Sequence, residues 1–485
     1  MKKITFLLII LVGFLVSCTK DFEDYNTDSK SAVEAPGQFL FANAQKALAD
    51  VNSSTNVNIN NWKLFAQYWT ETTYTDEANY DVVNRNVGTI LFRIYYRDIL
   101  SDFNEARRLV EAEKVEGTAA ENAKANKLYM IDLMEVYTYQ QLVDIFGDVP
   151  YTEALNIENL SPVYDDAQTI YKDLLVRAKA AADGLNDGAG GFGADDLLMG
   201  GDIAMWKKFA NTLIVKLAIT LSPVDAGMAK TYIEGAYANA FAYGESATFN
   251  YLSGANSNPL YQDLVQSGRN DFVAANTLVD LMNGLDDPRR ASYFDSNLTD
   301  DNDNVIYVGG NYGESSTFSQ FSHIAPRIQE DIYGYVMLDY TELAFYLAEA
   351  AERGFSVGGD AATWYENALN SSMEYWSVAA ADADAYLALA DVAYATAPGD
   401  WKQKIGTQAY IAFYVRGLEG WTSYRRMDAP AFNLPPTPAE SADGMVPKRH
   451  TYAIAEQTLN GGNYSAAASK IGGDRLSTKL FWDVE

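Results

Sequence analysis

Cysteine occurs once, at Cys18, and histidine twice, at His323 and His450. A single thiol closes no internal disulfide. Two imidazoles remove most zinc sites and most histidine-dependent catalysis. Positive charge is also scarce: 36 Lys and Arg stand against 65 Asp and Glu, a net charge of −29. Such a surface repels phosphate backbones, so nucleic acid is excluded as a natural partner. It equally disfavours docking on anionic lipid through a basic patch. No apolar run reaches the roughly 20 residues that a bilayer-spanning helix needs. G-x-S-x-G, the P-loop pattern and H-E-x-x-H do not occur, and nothing places a nucleophile beside either histidine.

Two stretches imitate known motifs. Gly188–Gly193 spells G-x-G-x-x-G, but a helical pattern precedes it where a dinucleotide site needs a strand. Asp195 and Asp196 would also repel a pyrophosphate, so the stretch reads as a connector. Asp300–Asn304 offers oxygen at alternate positions. Val305 and Ile306 then fall where a calcium loop needs an oxygen and a glycine, so a solvated turn is expected. No cofactor and no metal residue is assigned; structural calcium stays open, supported by no specific motif. The acidic residues guarantee chance carboxylate pairs, so a glycosidase-type acid pair stays open without being indicated.

What is present begins at the N-terminus. Lys2 and Lys3 precede a thirteen-residue apolar run, 4–16, that ends at Leu15-Val16-Ser17-Cys18. A basic start, a short apolar middle and a small residue at the cut describe a secretory signal. The Leu-x-Ser-Cys ending resembles a bacterial lipobox, which implies cleavage before Cys18 and lipidation of its thiol and new amine. Residues 1–17 are then a lipoprotein signal peptide, and 18–30 a lipidated Cys18 with a flexible acidic tether (TKDFEDYNTDSK). Residues 31–485 form the folded part, read as a single domain although its length would also suit two fused ones. With Cys18 acylated, no free thiol remains for redox chemistry.

Helical periodicity dominates that folded part. Helices are expected at about 39–48, 61–69, 89–113, 118–145, 165–185 and 205–221, with a shorter one following to about 241, then at 274–284, 335–353, 360–376, 401–418 and 452–459. Residues 70–86 break the period and read as a loop. Residues 250–334 turn to Asn, Ser, Asp, Gly and aromatics, with a possible strand at 305–308. Helix, tight turn, helix at a unit length near 40 residues suggests tetratricopeptide-like packing. The fold class is therefore mainly α: tetratricopeptide-like helix pairs packed against a loop-rich portion with a few short β-hairpins.

With 33 Tyr and 8 Trp the chain is rich in flat amphipathic rings. Trp62, Phe65, Trp364 and Trp376 lie on helical stripes and are assigned to the core. Tyr74, Tyr80, Tyr307 and Tyr312 sit in loop contexts beside Asn79, Arg85 and Asn311. A sugar ring, with an apolar face and a hydroxyl rim, suits that mixture of rings with amide and charged side chains. These seven residues are the candidate ligand contacts.

Several stretches, in order along the chain, resemble the SusD/RagB family of surface nutrient-binding lipoproteins, its SusD-like 2 branch in particular. They include Phe146-Gly-Asp-Val-Pro-Tyr151, Trp206-Lys-Lys-Phe-Ala-Asn211, Gln266-Ser-Gly-Arg-Asn-Asp271 with Asp287-Pro-Arg289, and Tyr340–Arg353. Gly417–Trp421 with Arg425-Arg426, Pro447-Lys-Arg449, Asn463-Tyr464 and Phe481-Trp482 complete the succession. The resemblance implies four tetratricopeptide-like units supporting a ligand-binding, loop-rich part. It also implies a non-enzymatic lipoprotein of the outer membrane, facing the cell exterior, that binds oligosaccharide or peptide. Its implied partner is a SusC-like TonB-dependent transporter barrel, over which it closes as a lid. None of these motifs is a ligand motif, so no binding residue transfers. Two other readings remain: a surface glycoside hydrolase using an Asp/Glu pair, and a tetratricopeptide scaffold for a protein partner.

Overall fold

Aspartate, the source of much of the negative charge, also starts most of the long helices. The computed structural model describes residues 35–484; the expected signal peptide, Cys18 and the tether lie outside them. In chain order, α1 spans Gly37–Ser53. Val87–Arg93 runs through a π-helical stretch, Ile94–Leu100, into Ser101–Ala112, together α2. Then come α3 (Thr118–Phe146), α4 (Ala167–Gly184), α5 (Ile203–Leu221), α6 (Ala226–Ala236) and α7 (Asn276–Gly284). Next are α8 (Tyr340–Glu352), α9 (Ala361–Tyr375), α10 (Ala380–Leu387), α11 (Trp401–Ala412), α12 (Gly417–Met427) and α13 (Gly461–Lys470). The side chains of Asp166, Asp202, Asp225, Asp339, Asp360 and Asp400 each accept a backbone N–H in the first turn of the helix that follows. Each such cap satisfies a donor that the helix itself cannot, worth about 1 kcal/mol.

The helices pack as neighbours: α1 on α2, α3 on α4, α4 on α5, α5 on α6, α8 on α9 and α11 on α12, with α8 also meeting α5 and α11. The fold is thus mainly helical with tetratricopeptide-like pairs, as expected. The central helix α3 differs from its expected single stripe. From Met130 to Phe146 all its side chains except Asp132 are buried, because helices surround that half on several sides. It ends where expected, at Gly147, whose φ of +88° suits glycine. The core also buries charge. Lys216 Nζ meets Glu342 at 2.8 Å and Glu419 at 3.6 Å, and Arg416 pairs with Asp339 and Glu342. Against the burial that would raise it, Lys216 and Arg416 hold the Glu342 carboxyl down to about 2.

Among the described residues there are two small antiparallel sheets, and each joins segments far apart in the chain. Trp69–Glu71 (β1) pairs with Phe272–Ala274 (β3), placing Glu71 opposite Phe272. Ser246–Phe249 (β2) pairs with Tyr335–Asp339 (β4), with a shift in register between Ala247 and Thr248. The helix expected over 61–69 is confined to Trp62–Phe65. Gln67 takes φ +51° and turns the chain into β1 instead, where Trp69 donates to the Tyr414 hydroxyl at 2.9 Å. The strand expected at 305–308 reduces to one bridge, Thr299 to Val305, around the Asp300 turn.

Candidate functional site

The β1–β3 pair builds the foundation of a cleft of about 330 Å³. Beyond β1 the chain carries Tyr74 up one side; before β3 it carries Arg269 and Asp271 up the other. Thr72 stitches the two together, its N–H donating to the Asp271 carbonyl at 2.9 Å and its hydroxyl to the Asn270 carbonyl at 2.7 Å. Asn58, Asp263 and Arg85 close the far wall. Tyr74 is the exposed ring at the rim, 63% accessible. A flat ring flanked by amide and charged groups is the surface to which a sugar's apolar face adheres.

The electrostatics of the cleft are internally balanced. Arg269 forks onto Asp271 through two bonds, of 2.6 and 3.0 Å. Arg85 is bound to Glu77 through Nε and reaches Asn58 Oδ1 at 3.2 Å. Each guanidinium thus already has a carboxylate partner before any ligand arrives. Glu71 lines the cleft, is buried, and accepts from the Ala78 N–H at 2.9 Å. Burial, and then the neighbouring Glu77 carboxylate, push its carboxyl up to about 9, so it is uncharged at neutral pH. Asp263 accepts from Ser54 Oγ at 2.9 Å and from the Thr55 N–H at 3.0 Å, and burial raises its pKa as well. Behind this wall Lys63 donates to the carbonyls of Ser53 and Ser54, and burial lowers it to about 7.

The seven candidates divide. Tyr74 and Arg85 meet in this cleft. Asn79 is buried as a clip between loops: it donates to the carbonyls of Thr75 and Gly313, both at 2.8 Å, and accepts from Thr437 N and Oγ1. Tyr80 and Tyr312 are buried as well. Tyr80 packs edge-on to Phe65, and the Tyr312 hydroxyl donates to the Leu64 carbonyl at 2.8 Å. Tyr307 is half-buried between Phe294 and Arg290. Asn311 is exposed, bonded to Glu314. None of these five lines the cleft. Trp62, Phe65 and Trp376 are core, as assigned, while Trp364 is half-buried.

The residues that local reading did not single out are Glu71, Asp263, Arg269, Asp271 and Phe272. A signal existed for two of them: Arg269 and Asp271 fall within the Gln266–Asp271 stretch already quoted. Neither histidine is near. His323 stacks on Phe318 at 3.8 Å, and burial drives His450 down to about 4. Among the described residues no group of His, Cys, Asp and Glu is arranged to hold a metal ion. Asp300 is closed into its own turn by the N–H groups of Asn302 and Asn304. No helix among the described residues is long and apolar enough to cross a membrane.

Comparison with known proteins gives a consistent picture. The model of a family described as "starch-binding associating with outer membrane", SusD-like 2, matches residues 28–453. No curated protein matches the sequence significantly. Among solved structures, a chitin-binding protein shares 25% identity at a TM-score of 0.80, over 93% of this chain and 100% of that one. A SusD-like protein from Bacteroides thetaiotaomicron shares 24% identity at a TM-score of 0.75, over 93% and 99%. A chitin-binding SusD homolog from Flavobacterium johnsoniae shares 22% identity at 0.75, over 93% and 98%.

Proposed function

The chain belongs to the SusD-like family, and from that premise we propose that it is a surface lipoprotein that captures an uncharged glycan in the Tyr74 cleft and passes it to a TonB-dependent barrel. The observation that carries this reading is the family match across residues 28–453, a family of outer-membrane-associated binding proteins. The chitin-binding relatives favour a glycan over a peptide. The cleft supports the choice of an uncharged one. Its guanidiniums are already paired and Glu71 is neutral, so a uronate or sulfated chain finds no free cation. Tyr74 supplies the stacking surface; Asn58, Arg85 and Asp271 supply donors and acceptors for hydroxyls.

The division into a signal peptide at 1–17, an acylated Cys18 with its tether to 30, and one binding domain from 31 belongs to the same proposal. A tethered binder acts by concentrating ligand beside its partner, with the link setting the effective concentration. Acylation at Cys18 with a short tether would keep the cleft close to a barrel in the same membrane.

Calorimetry of the purified chain against neutral chito- and malto-oligosaccharides, polyuronates and peptides tests the reading. Saturable binding of a neutral oligosaccharide, without products and weakened in Tyr74→Ala, is expected. Hydrolysis of the ligand would establish the glycosidase alternative instead, and binding confined to peptides or polyuronates would overturn the glycan assignment.

A further inference from the structure

The α3–α4 connection, residues 147–166, is far longer than the roughly 2–8 residues that usually join packed helices. It is nonetheless tightly braced. Glu153 accepts from Asn159 Nδ2 at 2.9 Å and the Val163 N–H at 3.1 Å; Asp165 accepts from the N–H groups of Tyr151 and Thr152. Leu155 is held at φ +62°, a conformation unfavourable for a branched side chain. What this bracing presents to water is apolar: Ile157 is 90% exposed and Leu160 83%.

A second element completes the edge. Asn460 donates to the Pro162 carbonyl at 2.8 Å, Asn463 to that of Ser161 at 2.9 Å, and the Tyr164 hydroxyl to Glu456 at 3.0 Å. These bonds bring Leu459, 72% exposed, to the side of Leu160. Beside them lies a recess of about 300 Å³ lined by Phe92, Tyr96, Leu155 and Pro162. Singly exposed aliphatics are ordinary. Three on one braced edge, beside a recess whose lining also includes Arg97, Ser101 and Glu456, mark an interaction surface.

We propose that this edge is the docking surface for a protein partner whose face carries an apolar pocket ringed by Lys or Arg. The charge around the edge selects that occupant. Glu153, Glu158 and Glu456 lie on the same segments as the leucines, and Arg97 and Lys470 are already paired with Asp98 and with Asp148 and Asp166, which leaves Arg93, next to Phe92, as an exposed cation among acids. A phosphate-rich membrane surface would be repelled. A second copy meeting this edge isologously would set the same acids against each other. A basic-rimmed protein gains from both the apolar contact and the charge. That the partner is the TonB-dependent barrel rests on the proposed function; that the edge docks a protein does not.

Full-length chain is recovered from detergent-solubilised outer membranes of its host, and the retained barrel is identified by mass spectrometry. Wild type is compared with the Ile157→Ser/Leu160→Ser pair and with Glu158→Lys. All three residues are exposed, and melting temperature and glycan affinity confirm intact folding. Retention of the barrel is expected to fall at least about a hundredfold in the serine pair, as removing two buried aliphatic contacts implies. Glu158→Lys should weaken it less and flatten its salt dependence. Undiminished retention in the serine pair, or no protein retained by wild type, overturns the proposal; another protein retained through Leu160 in place of the barrel breaks only the identity of the partner. So does a serine-pair loss seen in binding to outer-membrane lipid vesicles rather than to the barrel. A wild type that binds no glycan but holds the barrel through Leu160 would break the proposed function alone. Glycan binding with retention indifferent to Leu160 would break this inference alone.

Discussion

Two buried glutamates show how differently the two halves of this molecule treat charge. Glu342, in the helical scaffold, lies between Lys216 and Arg416 and is held down to about 2. Glu71, on the cleft wall, lies beside another carboxylate and is pushed up to about 9. Both are shut off from water; what differs is the company. Around Glu342 the scaffold sets opposite charges, as it does with Arg289 on Asp287 at 2.6 Å. The cleft keeps like charges together and accepts a neutral acid. Perturbation of the second kind concentrates where a protein meets ligands, because a site is shaped for what will enter it and not for its own rest state.

The contrast can be broken hardest on the scaffold side. Arg416→Met strips one cation from Asp339 and Glu342 and should cost about 3–5 kcal/mol, measured by chemical denaturation. A cost under about 1 kcal/mol would mean that Lys216 alone suffices. Next in size is Asn79→Ala, which releases bonds to Thr75, Gly313 and Thr437. It should lower stability by about 2 kcal/mol and weaken glycan binding with it, since the loop bearing Tyr74 loses its clip. Tyr74→Ala should do the reverse: binding weaker by about 1–2 kcal/mol in calorimetry, with the melting temperature unchanged. A parallel fall in both would place Tyr74 in the core economy and not at a site.

The finest test is Glu71→Gln, which is read in the slope of a profile and not in the size of a single shift. Its effect lies in the pH profile. Folding raises the Glu71 pKa from 4.5 to about 9. The folded state therefore binds more protons across that window, and its stability falls as pH rises through it. Glu342 has the opposite sign: its contribution is complete above 4.5 and is lost as pH falls towards about 2. Glu71→Gln should flatten a melting-temperature profile from about pH 4.5 through its alkaline limb to about 9, and leave the limb below 4.5 alone. An unchanged alkaline limb would show that Glu71 carries no proton at neutral pH.

The helices were legible because their information is local. An aspartate cap followed by a period of 3.6 is visible in a window of fifteen residues, and helix ends such as Gly147 carry their own signals. The cleft was legible only in part. Tyr74 and Tyr80 sit six residues apart in one loop, with similar neighbours, yet one is 63% exposed and the other fully buried. What separates them is tertiary: the Asn79 clip to Gly313 and Thr437 turns Tyr80 inward against Phe65. Tyr312 went the same way for the same reason, through its bond to the Leu64 carbonyl. Glu71, Arg269 and Asp271 were invisible as a group because the pairing that unites them spans most of the chain's first half.

That pairing also sets a chronology. Glu71 and Phe272 stand about two hundred residues apart along the backbone, and Asn79 needs Thr437 further still. Helix hairpins such as α5–α6 close short loops and can form as soon as their own residues are available. The cleft cannot: its last tie waits for nearly the whole polypeptide. A chain cut short before Thr437 should therefore keep most of its helical signal and have no competent cleft. Ligand capture is thus the final event of folding, and glycan binding is a direct assay of whether a given molecule has finished it.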